Sequence, residues 1–527
     1  MAGQAETGSR VSRRRFLGGA AAGVAAGALE GFPTASAQPS TPPQEVQTAQ
    51  QTRTDVIVVG GGIGGLTAAV RAQQAGARVT VLEKAYEPGG TTAHSEGGIW
   101  TAESYEEMRN DAPGGDPVVQ RTVFDTLPSA FAYYDSLGAP LGAARSGATR
   151  MRSMPPVAWT NFMVRTFQSA GGTLLVETPM LRLLVNREYE VIGVLAEGPK
   201  GLIRILAKAV VLATGGWAGN AQLVTQNITR HFGSLHQRNA SFGGRKPLLT
   251  GDGLLVATEI GAAVSEGGFD GFYGHMMPAR PTKPLHNPLT NYSLYHGPWS
   301  VAVNLGGRRF ADETQGRIAG RKIGRGAGEQ LICQETARQP EATAAYIWDE
   351  AVNLGHACAD CGLGDIDKFS AFRDIGAPVA TANTIRELAD QMERWGRGIP
   401  ADEVARTLTE YNSAAKNGKA WALPIPKANA AQAAPLDRPP FYAALGQSGI
   451  TATHGGLRVN AQGQVLSRTG RPVGGLYAAG VDIGNFNNYV YLGNLCLGAT
   501  FGYITGPNAA KQPAPRGGWD IGPLISG

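Results

Sequence analysis

An apolar run followed at once by clustered glycines places the strongest constraint on how this chain folds. Residues 55–59 read as a buried strand because they are almost entirely valine and isoleucine. Gly60, Gly62 and Gly65 follow in the spacing G-x-G-x-x-G, and residues 66–75 read as a helix. These glycines permit a tight turn, close approach of the backbone to a pyrophosphate, and packing of helix on strand. The pattern predicts a dinucleotide site at the helix N-terminus.

A second strand with a terminal carboxylate completes this unit. Residues 78–82 read as a strand that ends at Glu83. A carboxylate there can accept hydrogen bonds from the ribose hydroxyls of a dinucleotide. A glycine-rich turn without a ligand is the alternative, but strand, helix, strand and acid in register favour the binding unit.

A second glycine-rich loop distinguishes between the possible dinucleotides. Residues 89–99 read GGTTAHSEGGI. An extended FAD needs a second loop around its ribityl chain and ring, whereas a nicotinamide dehydrogenase does not. We therefore expect FAD, and glycine at 73 of 527 residues is consistent with close backbone approach to a bulky ligand. The expected contacts in this loop are Gly90, Thr91, Thr92, Gly97 and Gly98.

From about residue 54 to residue 506, the chain resembles one flavoprotein family. The family comprises soluble fumarate reductases, succinate dehydrogenase flavoprotein subunits, 3-ketosteroid dehydrogenases and tricarballylate dehydrogenases. The motifs are VVLATGG at 210–216, TGDG at 250–253, VN to GRRFADE over 303–313, GGL at 455–457 and GLYAAG at 475–480. Each motif alone is weak, but their order and spacing together are specific. Flavin hydroxylases share the first loop but carry a late G-D motif where this chain has Ala-Ala-Gly.

The resemblance implies an α/β fold: a Rossmann-like FAD-binding domain of the glutathione-reductase type with an inserted α+β capping domain. The FAD-binding parts would be residues 53–271 and 448–512, with the capping or substrate domain at 272–447 and a tail at 513–527. The family's Glu after Ala-Ala-Gly is Val481 in this chain. Further implied FAD contacts are Lys84, Ala213, Thr214, Gly215, Asp252, Gly480, Asp482 and Leu495.

The family's chemistry implies a proton-transfer group and a substrate-binding group. In the family, a hydride passes between flavin N5 and a carbon beside an electron-withdrawing group, while a protein group moves a proton at the neighbouring carbon. Arg317, four residues after Glu313, matches the family's proton-transfer arginine. A guanidinium is a poor base near neutral pH, which favours the reductive direction. His275 falls near the family's substrate-binding histidine. A salt-bridged arginine and a structural histidine are the alternatives.

Two groups that hold a C4 dicarboxylate in fumarate reductases are missing. At their positions the chain has Ala452 and Tyr489, so fumarate itself is not the expected substrate. Tyr489 and Tyr491 resemble tricarballylate- or ketosteroid-acting members, and we expect Tyr489 in the catalytic site. The resemblance implies a 2-enoate reductase or tricarballylate-type dehydrogenase. The alternatives are a 3-ketosteroid-type dehydrogenase, a flavin oxidase, or a non-catalytic flavin electron-transfer protein.

The expected cofactor set is noncovalent FAD without a metal. Members in membrane complexes join FAD to a histidine seven residues before Gly-Gly, where this chain has Gly90, and His94 is out of position. Cys358 and Cys361 form a single C-x-x-C, which favours a disulfide or an inert pair over zinc or iron–sulfur. No haem segment is visible. A separate donor or acceptor is therefore expected: a quinone, a redox protein or oxygen.

The N-terminus reads as an export signal. Residues 12–17 form a twin-arginine pattern, residues 16–29 are weakly apolar, and residues 35–37 form a small-x-small cleavage site. A signal peptide at 1–37 and a linker at 38–52 predict a periplasmic or secreted protein; a disordered basic tail is the alternative. The apolar stretch is too short for a membrane span. A net charge of +5 without basic–aromatic runs argues against nucleic acid as a partner.

Overall fold

The computed structural model describes most of the chain beyond the predicted leader. The described residues are 50–144, 150–232, 236–237, 248–283, 285, 289–314, 327–356, 367–396, 398–488 and 490–522. No helix in these ranges is long and apolar enough to cross a membrane.

Strands and helices are numbered here in chain order within the described ranges. The strands are β1 Gln50–Arg53, β2 Val56–Val59, β3 Val79–Leu82, β4 Gly98–Trp100, β5 Met151–Ser153, β6 Thr173–Leu175, β7 Met180–Val185, β8 Val191–Gly198, β9 Gly201–Leu206, β10 Ala209–Leu212, β11 His236–Gln237, β12 Phe272–Pro278, β13 Val301–Val303, β14 Thr343–Asp349, β15 Val379–Ala382, β16 Phe441–Thr453, β17 Gln464–Leu466 and β18 Pro472–Ala478. The α-helices are α1 Ile63–Gln74, α2 Gly90–Ala93, α3 Tyr105–Asp111, α4 Pro117–Leu137, α5 Pro156–Ser169, α6 Ala221–Asn227, α7 Asp252–Glu259, α8 Ala327–Ala337, α9 Glu350–His356, α10 Lys368–Asp374, α11 Ile385–Glu393, α12 Ala401–Lys416 and α13 Asn494–Ala510. Short 3-10 helices occur at Leu289–Tyr292, Gly297–Trp299, Pro340–Ala342, Ala420–Ala422, Ala430–Gln432 and Gly480–Asp482.

A mainly parallel sheet carries the first glycine-rich turn. Its order is β17-β18-β10-β2-β3-β6, and every pairing is parallel except that of β17 with β18. All four residues of β2 are buried, as expected for a strand that reads as one continuous apolar run. Helix α1 begins at Ile63 and not at residue 66 as predicted. Two glycines therefore lie inside its first turn, a composition that hid the true start.

Helix α13 packs unusually close to α1. Gly498, Gly502 and Gly506 recur every four residues and lie on one face of α13. A Cβ atom at these glycines would lie only 2.4–2.6 Å from atoms of α1. The missing side chains thus let the two helices approach, and the start of α13 is brought beside the start of α1.

A second sheet lies mainly in the region predicted as the cap. Its order is β11-β16-β14-β13, and β12 and β15 also pair with β16. Strand β16 runs across the predicted boundary between residues 447 and 448, so the secondary structure is continuous there, and the domain division itself stays a prediction. One continuous strand serves both sides because its first half pairs with β14 and its second half with β12.

A third sheet, β1-β9-β8-β7, includes residues of the predicted linker and contacts residues of the predicted tail. Strand β1 pairs in parallel with β9, so the predicted linker ending at residue 52 overlaps a strand. Polar composition hid this strand, since its four residues are exposed and pair through their backbones. Within the predicted tail, Trp519 and Ile521 pack against the core of this sheet.

Candidate cofactor and substrate site

One cavity of about 610 Å³ lies at the carboxyl ends of the parallel strands. Open α/β sheets bind ligands at this edge because the loops that follow successive strands converge there. The predicted FAD residues that line it are Gly60, Gly62, Glu83, Lys84, Gly90, Thr91, Thr92, Gly97, Gly98, Ala213, Thr214, Gly215, Asp252, Gly480 and Leu495. Gly65 and Asp482 are not in the lining and act from behind it.

The turn between β2 and α1 has room only for glycine. Gly60 has φ +105°, and a Cβ atom there would lie 2.1 Å from the carbonyl oxygen of Ala213. At Gly65 a Cβ atom would lie 1.9 Å from the carbonyl oxygen of Gly60. The first turn of α1 therefore faces the cavity with N–H groups that have no acceptor within the helix. Such a cradle suits a pyrophosphate.

The second glycine-rich loop is tied to this turn. Thr92 Oγ1 accepts a hydrogen bond of 3.0 Å from the backbone N–H of Ile63, the first residue of α1. Gly89 N–H donates to the carbonyl oxygen of Gly61 at 2.9 Å. Two segments predicted separately from sequence thus form one wall of the cavity.

Glu83 lies where a ribose-binding carboxylate is predicted. It is 7% exposed, and its two oxygens accept backbone N–H bonds from Gly61 and Ala85, each at 2.8 Å. Burial raises the pKa of Glu83, while these two N–H groups act to lower it. A carboxylate oxygen can accept more than one hydrogen bond, so both oxygens of Glu83 can still accept from ribose hydroxyls. The residues present fit the adenosine half of FAD.

Replacing Glu83 with alanine should weaken FAD binding. Loss of the buried acceptor removes the ribose contact and frees Gly61, so we expect the Kd for FAD to rise about ten-fold or more. Titration of apoprotein with FAD, followed by flavin fluorescence, measures this. Glu87→Ala, at an exposed position outside the cavity lining, is the matched control. Equal FAD affinity for the two variants would show that another residue holds the ribose.

Lys84 and Asp252 form an ion pair on the cavity wall. Lys84 Nζ lies 2.9 Å from Asp252 Oδ2 and donates to Thr250 Oγ1 at 2.7 Å. Among the described residues lining the cavity, Lys84 is the only lysine or arginine. This part of the lining therefore offers little free positive charge to a dicarboxylate.

Asp482 supports the cavity wall from behind. It is predicted to contact FAD, but it is not among the residues that line the cavity. Its carboxylate is 1% exposed and accepts from the Thr214 backbone N–H and, at 3.0 Å, from Thr214 Oγ1. Thr214 Oγ1 in turn accepts from Gly253 N–H at 3.0 Å. Burial raises the pKa of Asp482 to about 7, although the Thr214 donors oppose this rise. Asp482 thus ties the loop after β10 to the start of α7.

The raised pKa of Asp482 predicts a pH-dependent stability. The folded pKa is about 7 against an ordinary value of 3.8. The protonated carboxyl group of Asp482 contributes its full stabilisation below the pKa of the unfolded state. This contribution is lost as the pH rises through the pKa of the folded state. We expect the melting temperature to fall between about pH 5 and 7, and Asp482→Asn to flatten this fall. Asp125→Asn, in an exposed ion pair, should keep the wild-type slope. An unchanged slope in Asp482→Asn would contradict the assignment.

Aromatic side chains line another part of the same cavity. His275 lies on β12, and its Nε2 is 2.7 Å from the hydroxyl of Tyr273. The Tyr273 ring stacks on Tyr491 with centroids 3.7 Å apart, and Trp100 meets Tyr491 edge-on at 5.5 Å. The rings of Tyr295 and His275 meet edge-on with their centroids 5.1 Å apart. We name Trp100, Tyr273, His275, Tyr295 and Tyr491 the aromatic cluster; all five line the cavity.

Sequence reasoning identified His275 but assigned no role in the site to Trp100, Tyr273 or Tyr295. The available signal was strand alternation, since Tyr273 stands two residues before His275. Arg317, Tyr489, Cys358 and Cys361 lie outside the described residues, as does the predicted signal peptide. Within the described ranges, no three His, Cys, Asp or Glu side chains group so as to hold a metal ion.

Comparison with known proteins identifies relatives along nearly the whole chain. A family model described as FAD binding domain matches residues 55–497. A probable fumarate reductase of Shewanella frigidimarina is 27% identical over 487 residues, which cover 87% of this chain and 75% of that protein. A vinyl phenol reductase of Lactiplantibacillus plantarum is 26% identical, and the match covers 87% of this chain and 96% of that protein. A 3-oxosteroid 1-dehydrogenase of Mycobacterium tuberculosis is 22% identical, covering 88% and 99%.

Solved structures agree with this chain in fold. The open conformation of a flavocytochrome c3 fumarate reductase superposes with a TM-score of 0.64 at 23% identity, covering 89% of this chain and 80% of that one. A 3-ketosteroid delta1-dehydrogenase from Sterolibacterium denitrificans gives 0.65 at 19% identity, covering 87% and 99%.

The fold and the cavity define a mixed α/β flavoprotein that binds FAD and acts as an oxidoreductase on CH–CH groups. The chain belongs to the FAD binding domain family, among the flavoproteins related to fumarate reductases and 3-oxosteroid dehydrogenases. The predicted family, cofactor and enzyme class are thereby confirmed.

Proposed function

We propose that the protein is an exported enzyme that moves a hydride between flavin N5 and a C–C bond beside a carboxyl or carbonyl group. It would act as a 2-enoate reductase or a tricarballylate-type dehydrogenase. One observation carries this proposal: Gly60 and Gly62 of the cofactor turn line the same cavity as Tyr273 and His275. The similarity to a probable fumarate reductase supports the bond type, since fumarate has a C=C bond beside a carboxyl group.

Residues of this chain would bind the substrate and move the proton. Bound FAD supplies hydride transfer at N5. We assign proton transfer at the neighbouring carbon to Arg317, and substrate binding to His275 and Tyr489. Arg317 follows Glu313 by four residues, and Glu313 is fixed by a bidentate pair with Arg309 at 2.8 and 2.5 Å. That pair fixes the position of Glu313, which lies among the described residues.

The proposal also covers how FAD is held, which partner exchanges electrons with the enzyme, and where the enzyme is located. The FAD is held noncovalently, so acid treatment releases it from the denatured chain. Electrons come from or go to a separate partner, which is a quinone, a redox protein or oxygen. The twin-arginine pattern of residues 12–17 directs the folded protein to the periplasm or the exterior.

Two other functions each have specific observations in their favour. A 3-ketosteroid-type dehydrogenase is favoured by the aromatic lining and by a 3-oxosteroid 1-dehydrogenase that this chain matches over 99% of its length. A non-catalytic flavin electron-transfer protein is favoured by Ala452, which lines the cavity where fumarate reductases carry a substrate-binding histidine.

Anaerobic flavin spectroscopy separates these functions. Dithionite-reduced holoenzyme is mixed with fumarate, cis-aconitate, 2-butenoate, 3-phenylpropenoate or a 3-ketosteroid, and the recovery of flavin absorbance is followed. Oxidised enzyme is tested with the saturated counterparts. A response to any of the unsaturated acids or their counterparts supports the proposed function. A response to the ketosteroid alone supports the first alternative, and no response to any compound supports the second.

Replacing Arg317 with alanine should abolish most turnover while leaving bound flavin reducible by dithionite. A positioned general acid contributes about a hundred-fold or more to the rate, and alanine cannot deliver a proton. Steady-state turnover of the best substrate from the panel measures this loss. Arg121→Ala, at an exposed ion pair on α4, is the control. Full activity in Arg317→Ala would remove Arg317 from the mechanism.

A further inference from the structure

Three rings of the aromatic cluster come from three separate parts of the chain. Trp100 ends β4, Tyr273 lies on β12 of the second sheet, and Tyr491 lies three residues before the start of α13. The ring pairs Trp100–Tyr491 and Tyr273–Tyr491 join these parts at centroid distances of 5.5 and 3.7 Å. Tyr491 thus lies between the other two rings, and all three line the cavity. Convergence of side chains from distant segments indicates a built surface.

The chemistry of this surface disfavours a dianion. Aromatic faces carry negative electrostatic potential, so they attract ring edges and repel carboxylates. A charged group desolvated here would need a cationic partner. In the described part of the lining the one lysine or arginine, Lys84, is already paired with Asp252 at 2.9 Å. Ala452 adds only a methyl group to the lining.

Tyr491 adds one polar contact to this apolar surface. Its hydroxyl oxygen accepts from the backbone N–H of Asn494 at 3.0 Å, at the start of α13. Burial, together with the neighbouring Tyr273, raises the pKa of Tyr491, so the phenol stays protonated at neutral pH. No described residue accepts its proton, which is therefore available to a carboxyl, carbonyl or hydroxyl group of a ligand.

We propose that Trp100, Tyr273 and Tyr491 bind an aromatic ring attached to the reacting C–C bond, so that the substrate is an aryl-substituted enoate or its saturated counterpart. This inference rests on the proposed function and specifies its substrate class. In the reductive direction, the C=C bond gains one hydride and one proton and becomes a single bond. The two electrons come from the reduced cofactor, which the separate electron donor recharges.

Equilibrium binding to oxidised holoenzyme tests ring recognition without turnover. The probes are 3-phenylpropanoate, 3-cyclohexylpropanoate and succinate, followed by flavin absorbance changes and tryptophan fluorescence. We expect 3-phenylpropanoate to bind about ten-fold or more tightly than succinate, and also more tightly than its cyclohexyl analogue. Succinate binding as tightly as 3-phenylpropanoate, or equal affinity for the phenyl and cyclohexyl compounds, would overturn the inference.

Two variants locate the ring site. Trp100→Leu should weaken 3-phenylpropanoate binding about ten-fold and leave succinate within about two-fold. Trp421→Leu is the matched control, because Trp421 is 67% exposed and does not line the cavity. Tyr491→Phe keeps the ring and removes the hydroxyl, so it should weaken binding while retaining the preference for phenyl over cyclohexyl. Binding unchanged in both Trp100→Leu and Tyr491→Phe would place the ring elsewhere and overturn the assignment.

Turnover then separates failure of this inference from failure of the proposed function. Reoxidation of reduced enzyme by 3-phenylpropenoate, faster than by 2-butenoate, fumarate or a 3-ketosteroid, supports both. Faster reaction with 2-butenoate or fumarate overturns the aryl substrate and leaves the proposed function intact. Reaction with the ketosteroid alone, or with no unsaturated acid and no saturated counterpart, overturns both.

Discussion

Alanine at Gly60 should give a protein that purifies without FAD. The new Cβ atom would lie 2.1 Å from the carbonyl oxygen and 2.7 Å from the carbonyl carbon of Ala213, both backbone atoms that cannot rotate away. The φ of +105° is also strained for any residue with a side chain. Either β10 or the turn must shift, and the N–H groups at the start of α1 would move away from the pyrophosphate. We expect FAD affinity to fall about a hundred-fold or more.

Gly76→Ala is the matched control for this prediction. Gly76 also has positive φ, +88°, but a Cβ atom there meets nothing within 4 Å. It ends the same helix on the side away from the cavity, so it tests backbone strain without the clash. The measurements are the flavin-to-protein absorbance ratio after purification and FAD titration of the apoprotein. Normal flavin content in Gly60→Ala would show that the turn tolerates a side chain and that the pyrophosphate binds elsewhere.

The parts of the fold that sequence predicts well are those set by local rules. The strand, turn and helix around Gly60 follow from an apolar run and from glycine spacing, both of which act within a few residues. In the cap, helix α12 occupies Ala401–Lys416. Its apolar positions recur at helical spacing, and Asp402 and Glu403 favour its N-terminal turn.

The parts that sequence does not predict depend on contacts between distant segments. Nothing near Asp482 shows that its carboxylate will accept from Thr214, because that bond needs β10 and the loop after β18 to be adjacent. Likewise, Tyr491 gains its place in the aromatic cluster only when α13 packs on α1. Sequence reasoning therefore located the cofactor wall, whose residues follow strands, but not the aromatic surface.

A buried three-charge network in the cap illustrates the same dependence and controls stability. Glu313, Arg309 and Lys427 are almost completely buried, although Lys427 is distant in sequence from the other two. Burial alone would raise the pKa of Glu313, but Lys427 and Arg309 together lower it. Burial lowers the pKa of Lys427 to about 8 against the opposing effect of Glu313. Glu313 thus pairs with both buried cations.

Replacing Glu313 with glutamine should therefore destabilise the protein strongly, because it leaves Arg309 and Lys427 buried without the carboxylate that pairs with both. Removing one partner of a buried ion pair typically costs about 3–5 kcal/mol. Urea unfolding of the holoenzyme measures the change, and Asp125→Asn, in an exposed pair, should cost less than about 1 kcal/mol. Adding Lys427→Met to Glu313→Gln should restore part of the loss, since one unpaired charge is then removed and residues in contact are not additive. If Glu313→Gln were no less stable than Asp125→Asn, the network would not hold this part of the cap.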